Sequence, residues 1–399
     1  MPDTVVQLTP AGRGAVATLL IQGPNALRWV RASFRSASGR ALDGHSPDRL
    51  FFGHWGYELD GGSELGEPVI VRVRSADSVE VHCHGGRAAV ARLQQTLVEQ
   101  GCRRISWQAW GSAHADDPIR AAAWIALAEA RTERTAAILL DQHQGALSRA
   151  VRSTAELLGQ GNASAAEKRL KRILAHVATG LHLVCPWRVV VAGPPNAGKS
   201  TLLNAIVGYA RAIVNPLPGT TRDLVSSVTA VDGWLVELCD TAGLREATDP
   251  VEQAGVAAAR QALSEADLVL LVFDGASPWS AAEEALMAAH PRAVVIHNKA
   301  DVAAAPDSVR PPGRSLSALR QTGIDGLLCE IAHRLVPCPP EPGEAVPFTP
   351  DQVETLHRAS RCLARGDLGG ARESLEAMLQ CSEQVADRLG QGEGLGRCD

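Results

Sequence analysis

Hydrophobic residues in the first part of the chain fall in short runs that alternate with polar positions and are separated by turn-forming residues. The runs with this pattern are residues 5–8, 16–21, 68–73 and 78–82. A period of two predicts β-strands that bury one face. Residues 86–100 instead carry apolar side chains at helical spacing, which predicts an amphipathic helix. The side chains expected on its buried side are Val90, Leu93, Leu97 and Val98.

The pattern becomes helical after residue 117. Residues 118–183 are rich in Ala and Leu, with a break near residues 159–161. Strand-like runs then alternate with helical segments, an order typical of a parallel sheet covered by helices. These runs are residues 188–192, 234–239 and 293–297. A Pro-rich segment at residues 336–343 cannot form a helix or a central strand.

Two more helices are predicted beyond this Pro-rich segment. Thr349 and Pro350 indicate a helix that begins at Asp351, and a second one follows near Gly369 and continues through Leu389. The fold class that we predict is therefore α/β plus all-α, with an α/β domain inserted into a split helical domain and an α+β domain before it. The predicted boundaries are 1–117 for the α+β domain, 118–186 and 351–399 for the helical parts, 187–335 for the α/β domain and 336–350 for the linker.

Composition narrows the class of protein. The 399 residues are enough for two or three domains, and the net charge of −5 argues against broad electrostatic adhesion to nucleic acid or membrane, although local patches are compatible with it. No apolar run reaches the roughly 18 residues of a transmembrane helix, and the N-terminus lacks a signal-peptide pattern. The nine cysteines never occur in C-x-x-C spacing, so we expect mostly thiols. We expect a cytoplasmic protein with no membrane partner.

The most specific motif is the phosphate-binding pattern G-x-x-x-x-G-K-[ST], which residues 193–200 match at every fixed position. It follows one predicted strand and precedes a predicted helix, which is the context that gives the pattern its meaning. Its backbone amides would surround phosphate oxygens, Lys199 would neutralise the β- and γ-phosphates, and Ser200 would bind Mg²⁺. The residues that we expect to contact the nucleotide here are Asn196, Ala197, Gly198, Lys199, Ser200 and Thr201.

Two further segments predict the groups around the γ-phosphate. Asp240 and Gly243 follow the strand at residues 234–239, where the carboxylate can reach Mg²⁺ and the amide of Gly243 can sense the γ-phosphate. Thr221 is our first choice for a second Mg²⁺ contact, and Thr220 is the alternative. Leu244 stands where many GTPases carry a Gln that orients the attacking water. An aliphatic side chain cannot do this, so hydrolysis requires another polar group, a cation or a partner.

The remaining motif predicts the base. Asn298, Lys299 and Asp301 form an N-K-x-D box, in which the carboxylate accepts two N–H bonds from guanine that adenine cannot offer. Ser317 and Ala318 follow at the position of the loop whose amide meets the guanine O6. Four motifs in this order, each at the carboxyl end of a predicted strand, indicate GTP as the nucleotide.

With these motifs the chain resembles a bacterial family, the tRNA-modification GTPases called MnmE or TrmE. The resemblance covers most of the chain and is carried by residues 240–246, 249, 251 and 252, by 198–200 and 219–223, and in the N-terminal part by 10–14 and 84–86. It implies a homodimer with a domain that binds a tetrahydrofolate derivative, and a Ras-like G domain inserted into a helical domain. It also implies a flavoprotein partner, with which the family modifies the wobble uridine, U34, of tRNA.

The resemblance also implies how the missing Gln is replaced. Potassium, bound by the residue that matches Asn196, drives dimerisation of the G domains, and an acid that matches Glu252 orients the water. The expected catalytic residues are thus Glu252, Thr221 and Lys199. Mg²⁺ would be held by Ser200, Thr221 and Asp240.

The chain departs from the family pattern in three places. It ends Arg397-Cys398-Asp399 in place of Cys-Ile-Gly-Lys, and residues 75–77 read Ser-Ala-Asp in place of Gly-Glu-Asp. Residues 107–117 have no clear counterpart of the family's Arg-Ala-Phe…Asn-Gly-Lys segment. An alternative function is therefore a GTP-switched protein of RNA or ribosome assembly that has lost folate and modification chemistry. A third is a regulatory scaffold with negligible turnover, which Asn196, Thr221 and Glu252 count against.

Overall fold

The computed structural model describes residues 2–12, 14–42, 49–56, 66–115, 117–210, 226–240, 261–303 and 310–380. Their contacts divide the chain into two compact units, one up to Ala121 and one from Ala122 to Gln380. Helix α4 (Pro118–Glu129) runs across this boundary in the sequence. None of the helices in these ranges is both long and apolar enough to cross a membrane.

The first unit is built on a seven-stranded sheet in the order β3-β4-β5-β6-β2-β1-β7. All neighbours are antiparallel except β1 and β7. The strands are β1 (Thr4–Gln7), β2 (Val16–Gln22), β3 (Phe34–Ser36), β4 (Arg49–Trp55), β5 (Glu67–Ser75), β6 (Ser78–His84) and β7 (Arg103–Ile105). The helices are α1 (Ala26–Ser33), α2 (Arg87–Glu99) and α3 (Trp107–His114). The predicted strands and the predicted helix of this region are confirmed.

One face of this sheet forms the core with α1 and α2. Val69, Val71 and Val73 alternate along β5 and are buried, as the period of two predicts. The expectation for Val98 on α2 is wrong, because Val98 is exposed and Gln94 is buried instead. Val98 lies at the edge of the helical stripe, about 80° from Val90 at 100° per residue, whereas Gln94 lies about 40° away.

The second unit contains a six-stranded sheet in the order β13-β12-β11-β8-β10-β9. All pairs are parallel except the hairpin of β9 and β10. The strands are β8 (Trp187–Ala192), β9 (Ser226–Val231), β10 (Trp234–Asp240), β11 (Leu268–Asp274), β12 (Val294–Asn298) and β13 (Arg314–Ser315), and the helices are α9 (Lys199–Ala210), α10 (Ala281–Ala289) and α11 (Ile324–Leu335). The three predicted strands are confirmed to within one residue. Parallel order brings the carboxyl ends of β8, β10, β11 and β12 to one edge.

Within the described residues, further helices of this unit precede and follow the sheet in the sequence. They are α5 (Glu133–His143), α6 (Ala146–Gly159), α7 (Ala163–Leu174), α8 (Val177–Leu181), α12 (Pro350–Ala364) and α13 (Leu368–Ala377). Helix α13 packs on α6, and α12 packs on α7. The predicted break near residues 159–161 is confirmed, with Gly161 in a left-handed conformation.

The predicted linker, residues 336–350, is hydrogen-bonded to α5. The amide of Gln142 donates to the carbonyl of Glu344 and accepts from the backbone of Val346. The predicted helix start is confirmed, because Thr349 caps α12 and Pro350 is its first residue. The predicted length of α13 is wrong, because the helix ends at Ala377. Leu379 and Gln380 donate to carbonyls three residues back, which tightens the chain out of α-helical geometry.

The turn between β9 and β10 contacts the start of α5. Thr132, which caps α5, donates its hydroxyl to the carbonyl of Gly233 at 2.6 Å. Arg134 forms an ion pair with Asp232 at 2.9 Å and lies over the ring of Trp234. Since β10 ends at Asp240, this contact connects the helices to a strand that leads into the candidate site.

Candidate nucleotide-binding site

The loop between β8 and α9 has a backbone path that requires glycine at two positions. Gly193 has a φ of 148°, and a Cβ there would lie 2.1 Å from the carbonyl oxygen of Val272. Gly198 has a φ of 88°, and its Cβ would lie 2.3 Å from Nδ2 of Asn298. Asn196 adopts a φ of 59°, which Asn tolerates better than most residues. The loop is thus fixed by the strands on which it rests, β11 and β12.

Lys199 is the first residue of α9, and its ammonium group lies against the preceding loop. The side chain is largely buried, and its Nζ donates to the carbonyl of Pro194 at 2.8 Å. The backbone amides at the start of α9 and the ammonium group are both attractive to an anion. This end of the sheet can therefore hold a phosphate group.

Ser200 and Asp240 lie together beside the loop. The hydroxyl of Ser200 donates to Oδ2 of Asp240 at 2.7 Å, and β10 brings Asp240 next to Val191 of β8. A hydroxyl and a carboxylate are oxygen ligands that suit Mg²⁺, which is usually held by one or two carboxylates together with substrate phosphates. The two groups present here fit that ion.

Asn298 joins the phosphate loop to the predicted base loop. It is only 2% exposed. Its Nδ2 donates to the carbonyl of Ala197 at 2.9 Å, and its Oδ1 accepts from the amide of Ala318 at 2.9 Å. One buried side chain thus sets the position of two loops that are far apart in sequence.

The carboxylate of Asp301 is oriented by Ser317. The buried hydroxyl of Ser317 donates to Oδ1 of Asp301. This hydrogen bond lowers the pKa of Asp301 below its ordinary value. With this lowered pKa, Asp301 is ionised at neutral pH, and an ionised carboxylate can accept two N–H groups. Its side chain is also exposed.

Lys299 has a partner that the motifs did not predict. Its Nζ lies 2.7 Å from Oδ2 of Asp274, the last residue of β11. The signal in the sequence is a single acid that ends an apolar strand, and it is too general to select Asp274 in advance.

The structure brings together most of the predicted nucleotide contacts. Lys199, Ser200 and Asp240 form one group, and Ala197, Asn298 and Ala318 form a connected second group. Four predicted residues lie outside the described ranges, namely Thr220, Thr221, Gly243 and Glu252. Leu244 and Cys398 lie outside them as well.

Known proteins are similar to this chain over part or most of its length. A family model described as 50S ribosome-binding GTPase matches residues 188–299. A tRNA modification GTPase MnmE from Chloroflexus aurantiacus is 31% identical, with 99% of this chain and 95% of that protein covered. The protein of that name from Parasynechococcus marenigrum is 33% identical, with 83% and 82% covered. Among solved structures, a single-residue variant of Aquifex aeolicus Era bound to GDP.AlF4- is 29% identical over 39% of this chain and 57% of its own, with a TM-score of 0.30.

Proposed function

Because the chain belongs to the MnmE family of tRNA modification GTPases, we propose that it hydrolyses GTP and that this hydrolysis serves the modification of tRNA. The observation that carries the proposal is the double hydrogen bond of Asn298, which links a phosphate loop to a loop with a guanine-type carboxylate. The link fixes the segment of Asn298, which also carries Asp301, against the phosphate loop.

Different residues of the described site would bind different parts of the nucleotide. Lys199 and the amides of the loop would bind the β- and γ-phosphates, and Asp301 would accept hydrogen bonds from guanine. The amide of Ala318 donates to Oδ1 of Asn298, so it would have to share or exchange this bond to meet the guanine O6. Ser200 and Asp240 would hold Mg²⁺, which would supply positive charge at the phosphates. Binding by several fixed donors orients the γ-phosphate for attack by water.

The groups around the γ-phosphate and the attacking water would be those that the family resemblance implies. Thr221, or Thr220 in its place, and the amide of Gly243 would close over the γ-phosphate. Glu252 would orient the water, since Leu244 offers no polar group. Hydrolysis would then depend on a carboxylate that acts from outside the usual Gln position.

Several finer features belong to the same proposal. Asn196 lies exposed on the phosphate loop and would bind K⁺, which would favour dimerisation of G domains in a homodimer. The packing of α12 and α13 on α7 and α6 supports one helical domain into which the G domain is inserted. A flavoprotein partner, modification of U34 and binding of a tetrahydrofolate derivative by the first unit complete the proposal.

Calorimetry on the purified full chain tests the nucleotide. GDP and GTP should bind much more tightly than ADP and ATP, and Asp301→Asn should lose the preference for guanine. Equal affinities of the unmodified chain for guanine and adenine nucleotides would refute the assignment. Glu252→Ala should bind GTP normally but hydrolyse it slowly, and turnover should be faster in KCl than in NaCl.

Mass analysis of wobble nucleosides from a deletion strain tests the tRNA role. Loss of the modified uridine, restored by the intact gene, is the expected result. A second candidate is a GTP-switched factor of ribosome assembly, which the altered residues 75–77 and the description of the matching family model favour. Normal wobble nucleosides together with co-sedimentation on ribosomal particles would select this second function.

A further inference from the structure

Asp274 occupies the carboxyl end of β11, directly beside the N-K-x-D segment. In the parallel register of β11 and β12 it is the partner of Asn298. Its Oδ2 lies 2.7 Å from Nζ of Lys299, and its Oδ1 accepts from the amide of Ala276 at 2.9 Å. Asp274 belongs to none of the four motifs, yet it is ion-paired to one of them.

We propose that Asp274 is a positioning residue for base recognition, which holds Lys299 and thereby fixes the segment that carries Asp301. The inference rests on the proposed GTP site and adds a residue to it. Asp274 would not touch the nucleotide. It would act through Lys299, two residues before the carboxylate that selects guanine.

The backbone at Lys299 explains why such a hold is useful. Lys299 adopts a φ of 65°, a left-handed conformation that is unfavourable for a residue with a Cβ. Such a conformation persists where the surrounding structure determines it. The ion pair restrains this side chain, because Asp274 is itself fixed by its bond to Ala276.

The turn that follows β11 also holds the backbone of the N-K-x-D segment. The amide of Gly275 donates to the carbonyl of Asn298 at 2.7 Å, and a Cβ on Gly275 would lie 2.5 Å from that oxygen. On the far side, the amide of Ala300 donates to the carbonyl of Leu316 at 3.0 Å. The segment is thus anchored from both neighbours, and Asp274 supplies the charged anchor.

The ion pair between Lys299 and Asp274 is partly buried, so it should help to fix the position of Lys299. The side chains of Lys299 and Asp274 are 35% and 21% exposed. Exposed ion pairs contribute little, whereas charge-assisted bonds to partly buried partners contribute more. The pKa of Asp274 agrees with this geometry: burial raises it, but the bonds from Lys299 and from the amide of Ala276 outweigh burial and lower it overall.

The test is calorimetry with GDP and inosine diphosphate (IDP) on the full chain and on Asp274→Asn. The variant keeps the shape of the side chain and an acceptor for Ala276 but loses the charge. GDP affinity should fall about tenfold, or about 1.4 kcal/mol. IDP lacks the 2-amino group and so makes one bond fewer to Asp301. The ratio of GDP to IDP affinity should therefore fall toward one, which a loss of general stability would not cause.

The matched control is Asp232→Asn, which removes the same charge from another ion pair of this unit and should leave both affinities unchanged. Lys299→Met breaks the pair from its other side and serves where Asp274→Asn does not fold. In a double variant, Asp274→Asn should add nothing to Lys299→Met. An unchanged ratio in the single variants, or additive losses in the double variant, would overturn the inference. Absence of a guanine preference in the unmodified chain would instead overturn the proposed function.

Discussion

Replacement of Asn298 by Ala should destabilise the phosphate loop and the base loop together. The change removes the donor to the carbonyl of Ala197 and the acceptor of the amide of Ala318. Ala197 is 0% and Ala318 3% exposed, so water cannot readily replace the lost side chain. The phosphate loop and the base loop then lose their common support.

The magnitude follows from these two bonds. Leaving a buried polar group without its partner costs roughly 1–3 kcal/mol, so the two together should cost about 2–6 kcal/mol. Part of this cost should appear as a lower free energy of unfolding of the nucleotide-free protein. The rest should appear as weaker binding of GDP, and each 1.4 kcal/mol or so corresponds to a tenfold change.

Urea denaturation and calorimetry with GDP measure the two parts. The matched control is Asn204→Ala, which alters an exposed Asn on α9 and should change stability by no more than about 0.5 kcal/mol. If Asn298→Ala unfolded and bound GDP like this control, the reasoning that one amide supports both loops would be refuted.

Three other substitutions make independent predictions. Lys199→Ala should abolish GTP binding in calorimetry, because the phosphate loop loses its positive charge, and normal affinity would contradict the role of the loop. Arg134→Ala should lower the free energy of unfolding in urea by about 1 kcal/mol, since it loses an exposed pair with Asp232 and a ring contact, and no change would show that the hairpin turn is held otherwise. Burial raises the pKa of Asp267, but hydrogen bonds, chiefly from His182, lower it overall. The ionised carboxylate of Asp267 should thus stabilise the folded chain above about pH 4. This stabilisation should be lost as the pH falls through the pKa of the folded state. In thermal melts, Asp267→Asn should thus be less stable than the unmodified chain at pH 7, and the difference should shrink below about pH 4; a constant difference would contradict this.

The sequence by itself determined the local elements of the site. Apolar runs placed β8, β10 and β12, and the glycines at 193 and 198 marked a loop whose backbone excludes a Cβ. These features depend on neighbouring residues in the chain, on period and on backbone conformation, so they can be read without a fold. The order of the motifs then predicted a guanine nucleotide.

Only the tertiary structure decided how those elements meet. Asn298 and Ala197 are 101 residues apart, and Lys299 and Asp274 are 25 apart, so no local pattern connects them. The choice of Gln94 over Val98 on the buried side of α2 depended on how that helix is rotated against its sheet. The attachment of the linker, residues 336–350, through Gln142 likewise depended on a contact across 204 residues. Local propensity defines the elements, but the contacts that unite them are set by packing and by the satisfaction of buried polar groups.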